Sequence, residues 1–508
     1  MAQESRHKSE GEASLITDDC DGVIPVRAFG AVRSRKANSA FMLAGQITGK
    51  AGLLVSMMIY SRVLEDAAFG KLALATALGT LILFLGDMGV SVFVTRRLAS
   101  GEGDWLVDEA LTLRLFLSIA GAALMLSFGL CQGYDPLQMK LLLLVSAGFI
   151  LEGFCETFYG RFRACEKMVF EALSRAALGF FSVIIAVAAI ALKTGPVFAG
   201  AGYLVRAIPS LSLCYAAARR TGYTAVLRFD TRALLNLFKA AFPLGMMGLL
   251  FAAVQRLDNA FIKAVLGDEA VAVYQQCLRV HEPLVLLVAP TLLPGALFPD
   301  LCRAVEAGWE HVRERITWMT EAFMVLAALV CIPLWNSGHS LLAMLWGGGY
   351  LRGLDPAAVL LTLKGALLLV PVTFIFHLFL AVCLAEERLG RIPVIVGSAL
   401  LVQIAGLFLL TEKYGIQAAA ALQCLSVGLM ALALGLDCRM RHGPTGFAGG
   451  LWRPLTALLA TLAAAALFQL PFKILSEAAI FFVFWLLLGG GAVFRLPGAL
   501  SSYDGATH

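Results

Sequence analysis

The chain has 508 residues, 59% of them hydrophobic and only 15% charged, with a formal net charge of +5. Soluble domains are about 45–50% apolar and about 25% charged, so this composition excludes an ordinary soluble fold. The small positive excess over so long a chain gives no reason to expect a nucleic-acid partner. In chain order, residues 1–39 are polar, carry Arg6, Lys8, Arg27, Arg33, Arg35 and Lys36, and hold no apolar run before Phe41. They predict a disordered cytoplasmic tail ahead of a retained first span, not a signal peptide. Apolar stretches about 20 residues long, enough helix to cross the hydrocarbon core, then lie near 40–61, 72–95, 110–131, 139–160, 172–192, 197–217 and 237–261. Others follow near 271–297, 316–336, 356–384, 392–411, 416–436, 454–470 and 476–494. The predicted fold is an all-α integral membrane protein with about fourteen transmembrane helices.

Orientation follows from the basic residues. With the N-terminus inside, roughly 24 Lys and Arg fall on inside segments and roughly 8 on outside ones. The expected placement is therefore a bacterial inner membrane, multi-pass, with both termini cytoplasmic. The outside connections are short, the longest being about 337–355. The eleven cysteines are scattered singly, without a C-x-x-C pair or zinc-like spacing, so they read as small hydrophobes and not as metal ligands. No cofactor is expected.

An internal repeat is visible. SRVLEDAAFGKLALA at 61–75 and KAVLGDEAVAVYQQC at 263–277 align at an offset of 202, pairing Leu64 with Leu266, Asp66 with Asp268 and Ala68 with Ala270. The offset equals a six-span unit, as in transporters built from parallel repeats. The same region, RVLEDAAFGKLALATALGTLILFLGDMGVSVFVTRRLAS, resembles the polysaccharide transporter family of the multidrug/oligosaccharidyl-lipid/polysaccharide exporter superfamily. The matching features are Phe69–Gly70, Asp87–Met88–Gly89 and Arg96–Arg97. AFPLGMMGLLFAAVQRLDNAFIKAVLGDEAVAVY and LLAMLWGGGY add to the likeness later in the chain, while Ala272 stands where the family commonly has glycine. The resemblance implies two six-helix bundles facing each other in a V, at 40–217 and 237–436. A cytoplasmic linker at 218–236 would join them, two extra helices would lie within 437–495, and a cytoplasmic tail would follow at 496–508. It implies alternating access for an undecaprenyl-pyrophosphate-linked repeat unit of O-antigen, capsule or exopolysaccharide. The implied partners are that lipid-linked oligosaccharide, membrane lipids, a polysaccharide polymerase and chain-length machinery.

Charges inside spans carry the functional expectation. An ionisable group at mid-bilayer costs about 2.5–3.5 kcal/mol on insertion scales, so it faces water or a partner. Lys50, Arg206, Arg279 and Lys364, with Arg256 next, are the candidate substrate-binding cations, because a pyrophosphate head needs cationic replacements for its lost hydration. The competing reading is internal ion pairing; Arg279 and Glu282, for example, are i,i+3 neighbours. Arg114, Arg175 and Lys239 lie nearer the ends, where long side chains can snorkel. Glu152 and Glu156 share a helix face and are candidates for ion coupling, unless one of them caps an arginine in the neighbouring bundle. Asp258, beside Asn259, either contacts a cation or caps a bent helix. Asp87 reads as structural, and His281 and His377 as core positions.

Pro243, Pro290, Pro294 and Pro371 lie within spans as either static bends or hinges, and Gly45 and Gly49 form a small-x-x-x-small pair. Within the same fold the alternatives are a peptidoglycan lipid II flippase and a multidrug/cation antiporter. A different class is a membrane-embedded polymerase or ligase, for which the sequence offers neither a long outside loop nor a triad, nucleotide loop or metal motif.

Overall fold

The computed structural model of the chain describes residues 35–287, 297–347, 350–351, 353–388 and 390–468, together with Ala479, 481–483 and 485–488. Of the expected disordered tail at 1–39, positions 1–34 lie outside the described residues and 35–39 instead open the first helix; the tail at 496–508, Pro290, Pro294 and most of the fourteenth span also lie outside the described residues. All secondary structure among the described residues is helical. The first half runs α1 (Arg35–Val63), α2 (Asp66–Asp87), α3 (Val90–Ala99), α4 (Trp105–Cys131), α5 (Pro136–Ala164), α6 (Met168–Ala191) and α7 (Pro196–Arg220). It continues through α8 (Thr231–Arg256), α9 (Asp258–Leu266), α10 (Asp268–Leu278) and α11 (Glu282–Leu287). The remainder comprises α12 (Phe298–Ala307), α13 (Trp309–Asn336), α14 (Gly338–Trp346), α15 (Pro356–Ala385), α16 (Ile392–Tyr414), α17 (Ile416–His442) and α18 (Phe447–Phe468).

Among the described residues, eleven helices are long and apolar enough to cross a membrane. They coincide with the first seven expected spans and the ninth to twelfth. The eighth is met by α10 and α11 and continues into 288–296, outside the described residues, and α18 occupies the thirteenth. Many large apolar side chains, including Phe180, Leu401, Phe408 and Leu409, are exposed on the chain's surface. In water so much exposed apolar surface would drive aggregation, whereas in lipid it is the expected outer face.

The helix ends follow from local chemistry. Pro136, Pro196 and Pro356 each occupy a first helical position, where the missing N–H is no loss. The Asp230 carboxylate caps α8 by accepting from the amides of Arg232 and Ala233, and Asp355 caps α15 through Ala357. Gly415, at φ +69°, turns the chain between α16 and α17. The repeat offset of 202 is reproduced in three dimensions: α2 begins at Asp66 and α10 at Asp268.

The chain divides after Ala272 into two compact units. In the first unit α1 packs on α6, α5 on both α2 and α7, and α8 on α2 and α3. In the second, α15 packs on α17 and α13, and α13 also receives α18. With no hydrophobic drive between helices in lipid, close approach rests on small residues. On α1, Gly45, Gly49 and Gly52 face α6: a Cβ at Gly45 would lie 2.5 Å from Ala172 Cα, and one at Gly52 2.3 Å from the Gly179 carbonyl oxygen. Gly52→Val is therefore expected to separate the pair and destabilise the fold by about 1–3 kcal/mol. Gly248→Ala, whose added Cβ would meet nothing closer than 3.7 Å, is expected to melt like the parent. Thermal melts of the purified protein, followed by size exclusion, check both.

Candidate functional site

The first unit holds a ladder of buried ion pairs built on α5. Glu152 and Glu156, four residues apart on α5, project toward α6 and α7. Each meets its own arginine: Arg206 Nη2 on α7 lies 3.3 Å from Glu152 Oε2, and Arg175 Nη2 on α6 lies 2.8 Å from Glu156 Oε1. The expectation that two neighbouring carboxylates perturb each other gives way to a simpler arrangement, in which each is neutralised separately. Arg206 also donates to Ser182 Oγ at 3.2 Å and lies 4.2 Å from the Tyr203 ring centre. Arg175 lies over Tyr159 and donates to Glu171, which is fully buried and is also bound by Arg163. Below this, Arg114 of α4 is wholly buried and bonds the Asp87 carboxylate at the end of α2. Snorkelling therefore does not describe Arg114 or Arg175: ion partners inside the bundle hold both, because an unpaired guanidinium in apolar surroundings costs more than extension along the helix can recover. The ladder contains four arginines (114, 163, 175 and 206) and four carboxylates (Asp87, Glu152, Glu156 and Glu171), so its formal charge is zero.

The other expected cations sit apart. Lys50 is exposed near the midpoint of α1. Lys364, half-buried on α15, places its ammonium 5.2 Å from the Trp335 ring centre. Neither lysine has a carboxylate within ion-pair distance among the described residues. Arg279 is buried just past the end of α10, and Arg256 is half-buried at the last turn of α8. Asp258 is buried, and its Oδ1 accepts from the amide and the side-chain nitrogen of Asn259, whose Nδ2 also donates to the Arg256 carbonyl. That knot ties the one-residue interruption between α8 and α9, which together form a continuous 36-residue apolar helix. His281 and His377 each donate from Nδ1 to a carbonyl of their own helical turn, Leu278 and Thr373. No group of three metal-ligating side chains occurs among the described residues.

Pairs at the span ends went unanticipated, since hydropathy does not reveal which loop acid a helical arginine will reach. Arg161, almost wholly buried, grips Asp104 through two bonds of 2.8 Å and Thr221 Oγ1 at 2.7 Å. Asp108 accepts from the Tyr223 hydroxyl at 2.6 Å and from the Val226 amide, which fastens the 221–230 connection to α4. At the opposite ends of these helices Lys71 meets Asp135 at 2.6 Å, and Lys263 pairs with Asp268. In the second unit Glu386 binds Arg441 and His442, and Glu321 binds Arg453 and Trp485 Nε1. A hollow of about 580 Å³ beside Glu321 is lined by Glu310, Glu314, Arg313 and Arg453 among others. Its mixed charge does not offer the cationic surface that a pyrophosphate requires.

Two measurements separate structural from functional charge. Glu171→Gln would strand Arg163 and leave Arg175 to Glu156 alone and is expected to cost about 3 kcal/mol, whereas Lys50→Gln should leave the melting midpoint unchanged; thermal melts of both variants check this. For Asp135, burial raises the carboxyl, but the hydrogen bond and charge of Lys71 outweigh it and hold the group below its ordinary 3.8. A depressed carboxyl adds stability above its ordinary range and loses it as the pH falls through the depressed value. Asp135→Asn is thus expected to lower stability at pH 7 by no more than about 1 kcal/mol, since the pair is part-exposed. The gap from the parent should close in melts below pH 3.8.

Residues 36–304 match the family described as polysaccharide biosynthesis protein. Comparison with curated protein sequences gives no match. Among solved structures, the lipid II flippase MurJ in an inward closed conformation superposes with a TM-score of 0.70 at 12% identity, covering 90% of this chain and 99% of MurJ. A mutant form of the Vibrio cholerae MATE transporter VcmN gives 0.58 at 14% identity, covering 85% of this chain and 99% of that one. A MOP superfamily transporter from Pyrococcus furiosus gives 0.56 at 16%, covering 82% and 97%. With more than half of its length matched, the chain belongs to the family described as polysaccharide biosynthesis protein, and its membrane-helical fold is similar to that of these transporter structures.

Proposed function

We propose that the protein flips an undecaprenyl-pyrophosphate-linked oligosaccharide, the repeat unit of a surface polysaccharide, across a bacterial inner membrane with both termini cytoplasmic. The supporting observation is the contrast in charge. The acids of the first unit's ladder are matched to arginines, while Lys50 and Lys364 lie within membrane helices without a carboxylate partner among the described residues. A lysine at the middle of a span is tolerable where it meets water or an anionic cargo. Each lysine supplies within its own unit a cationic group that can replace part of the hydration of a pyrophosphate head, as Arg256 does in the first unit and Arg279 in the second. In this reading Arg206, Glu152 and Glu156 shape the bundle that carries the site.

The match to a polysaccharide biosynthesis family favours this cargo over a drug cation. The fold shared with MurJ keeps lipid II as the second reading. Separate Lys50→Gln, Lys364→Gln, Arg256→Gln and Arg279→Gln variants test the proposal in cells that depend on this chain for polysaccharide export. At least two are expected to reduce surface polymer about tenfold, a loss of about 1.4 kcal/mol in transport free energy, with unchanged protein in the membrane. Wild-type polymer levels in all four would overturn the site. Rescue of a strain lacking its own lipid II flippase, without any effect on surface polymer, would favour the second reading.

A further inference from the structure

The second span is broken, and a buried arginine holds the break. α2 ends at Asp87, and α3 begins at Val90. Between them Met88 stands at φ +36°, ψ +39° and Gly89 at φ +77°. Left-handed backbone is unfavourable for a residue that carries a Cβ, and such an outlier persists where its surroundings over-determine it. Here they do. The Asp87 carboxylate accepts from the amides of Gly89 and Ser91, both at 3.2 Å, and so caps the first turn of α3. Arg114, fully buried on α4, donates to that carboxylate, to Ser91 Oγ at 2.8 Å and to the Gly153 carbonyl of α5. One guanidinium thereby ties the break to two further helices.

The other side of the break is the backbone of α8. A Cβ added to Gly245 would lie 2.0 Å from the Met88 carbonyl carbon, and one added to Gly89 would lie 2.6 Å from both Ala241 O and Gly245 N. Pro243 sits in this same turn of α8, where it removes a backbone donor and softens the helix. The break in the second span therefore meets a proline-bearing turn of α8 backbone to backbone.

We infer that Arg114 is a positioning residue for transport: through Asp87 it fixes the left-handed break, and the break fixes the seat of α8. The guanidinium is enclosed, so it acts without touching cargo. The transport half of this inference rests on the flippase reading; the mechanical half does not.

Hydrogen–deuterium exchange of the purified full-length chain tests the mechanical half. Arg114→Gln is expected to raise exchange at least fivefold in peptides covering both 84–95 and 241–249. Arg114→Lys should restore most of the protection, and Asp87→Asn/Arg114→Gln should add little to either single change. A rise confined to 84–95, with 241–249 as protected as in the parent, would overturn the inference. If Arg114→Gln fails to accumulate, Met88→Gly is combined with it, since glycine accepts the left-handed backbone freely. Recovery of folded protein supports the inference, and continued loss overturns it. In cells, Arg114→Gln should lower surface polymer about tenfold at equal protein level, with Arg114→Lys largely active. Coupled exchange alongside wild-type polymer in every cation variant would refute the flippase reading and leave the mechanical link standing.

Discussion

Charge inside hydrocarbon is tolerated only where it meets a partner or water, and the ion-pair ladder of the first unit is organised around that constraint. Burying one ion without a partner costs several kcal/mol, and a pair with good geometry recovers the loss. The bundle meets the requirement by placing its acids on α5, α6 and the end of α2 and its arginines on α4, α5, α6 and α7. Each pair that crosses from one helix to another then also fixes their register. In a medium where apolar contact gives helices little reason to associate, such pairs and the glycine seams between α1 and α6 are what specify which helix lies beside which.

Much of this was legible in the sequence. Composition and the length of the apolar runs gave the helices, because spanning a bilayer leaves a chain few alternatives. The repeat was legible too, since Asp66 and Asp268 open helices at the same offset as their sequence match. The Gly45–Gly49 pair is visible in the sequence as a small-x-x-x-small pattern, and the structure adds Gly52, which approaches its neighbour still more closely. Hydropathy cannot show who pairs with whom. Glu152 and Glu156 looked like a mutually perturbed couple because they share a face, yet α6 and α7 each bring an arginine to that face. Arg114 looked like a residue near an end, and its partner Asp87 lies 27 positions away, across a turn between spans. Side-chain partnership across helices is a tertiary fact, and a single sequence encodes it without displaying it.

The pairing also sorts the intramembrane charges into two kinds. Arginine dominates the matched set, as befits a planar fork that binds carboxylates through two or more bonds and stays ionised when buried. Among the described residues Lys50, exposed, and Lys364, resting against Trp335, lie within helices without a carboxylate partner. Lysine suits a surface that must bind and then release an anion, since its ammonium is a flexible point charge with no fixed docking geometry. The division of labour between the two side chains is consistent with a rigid scaffold that carries an adaptable lining.

The neutrality of the α5 ladder has an electrical consequence. Moving one elementary charge through a 100 mV membrane potential changes its energy by about 2.3 kcal/mol. Four guanidiniums travelling with four carboxylates experience no net force from that field. Movement of the bundle core as a unit therefore carries no net charge from the ladder through the field, and in the proposed transport cycle voltage would act on charges outside it, Lys50 and Lys364 among them.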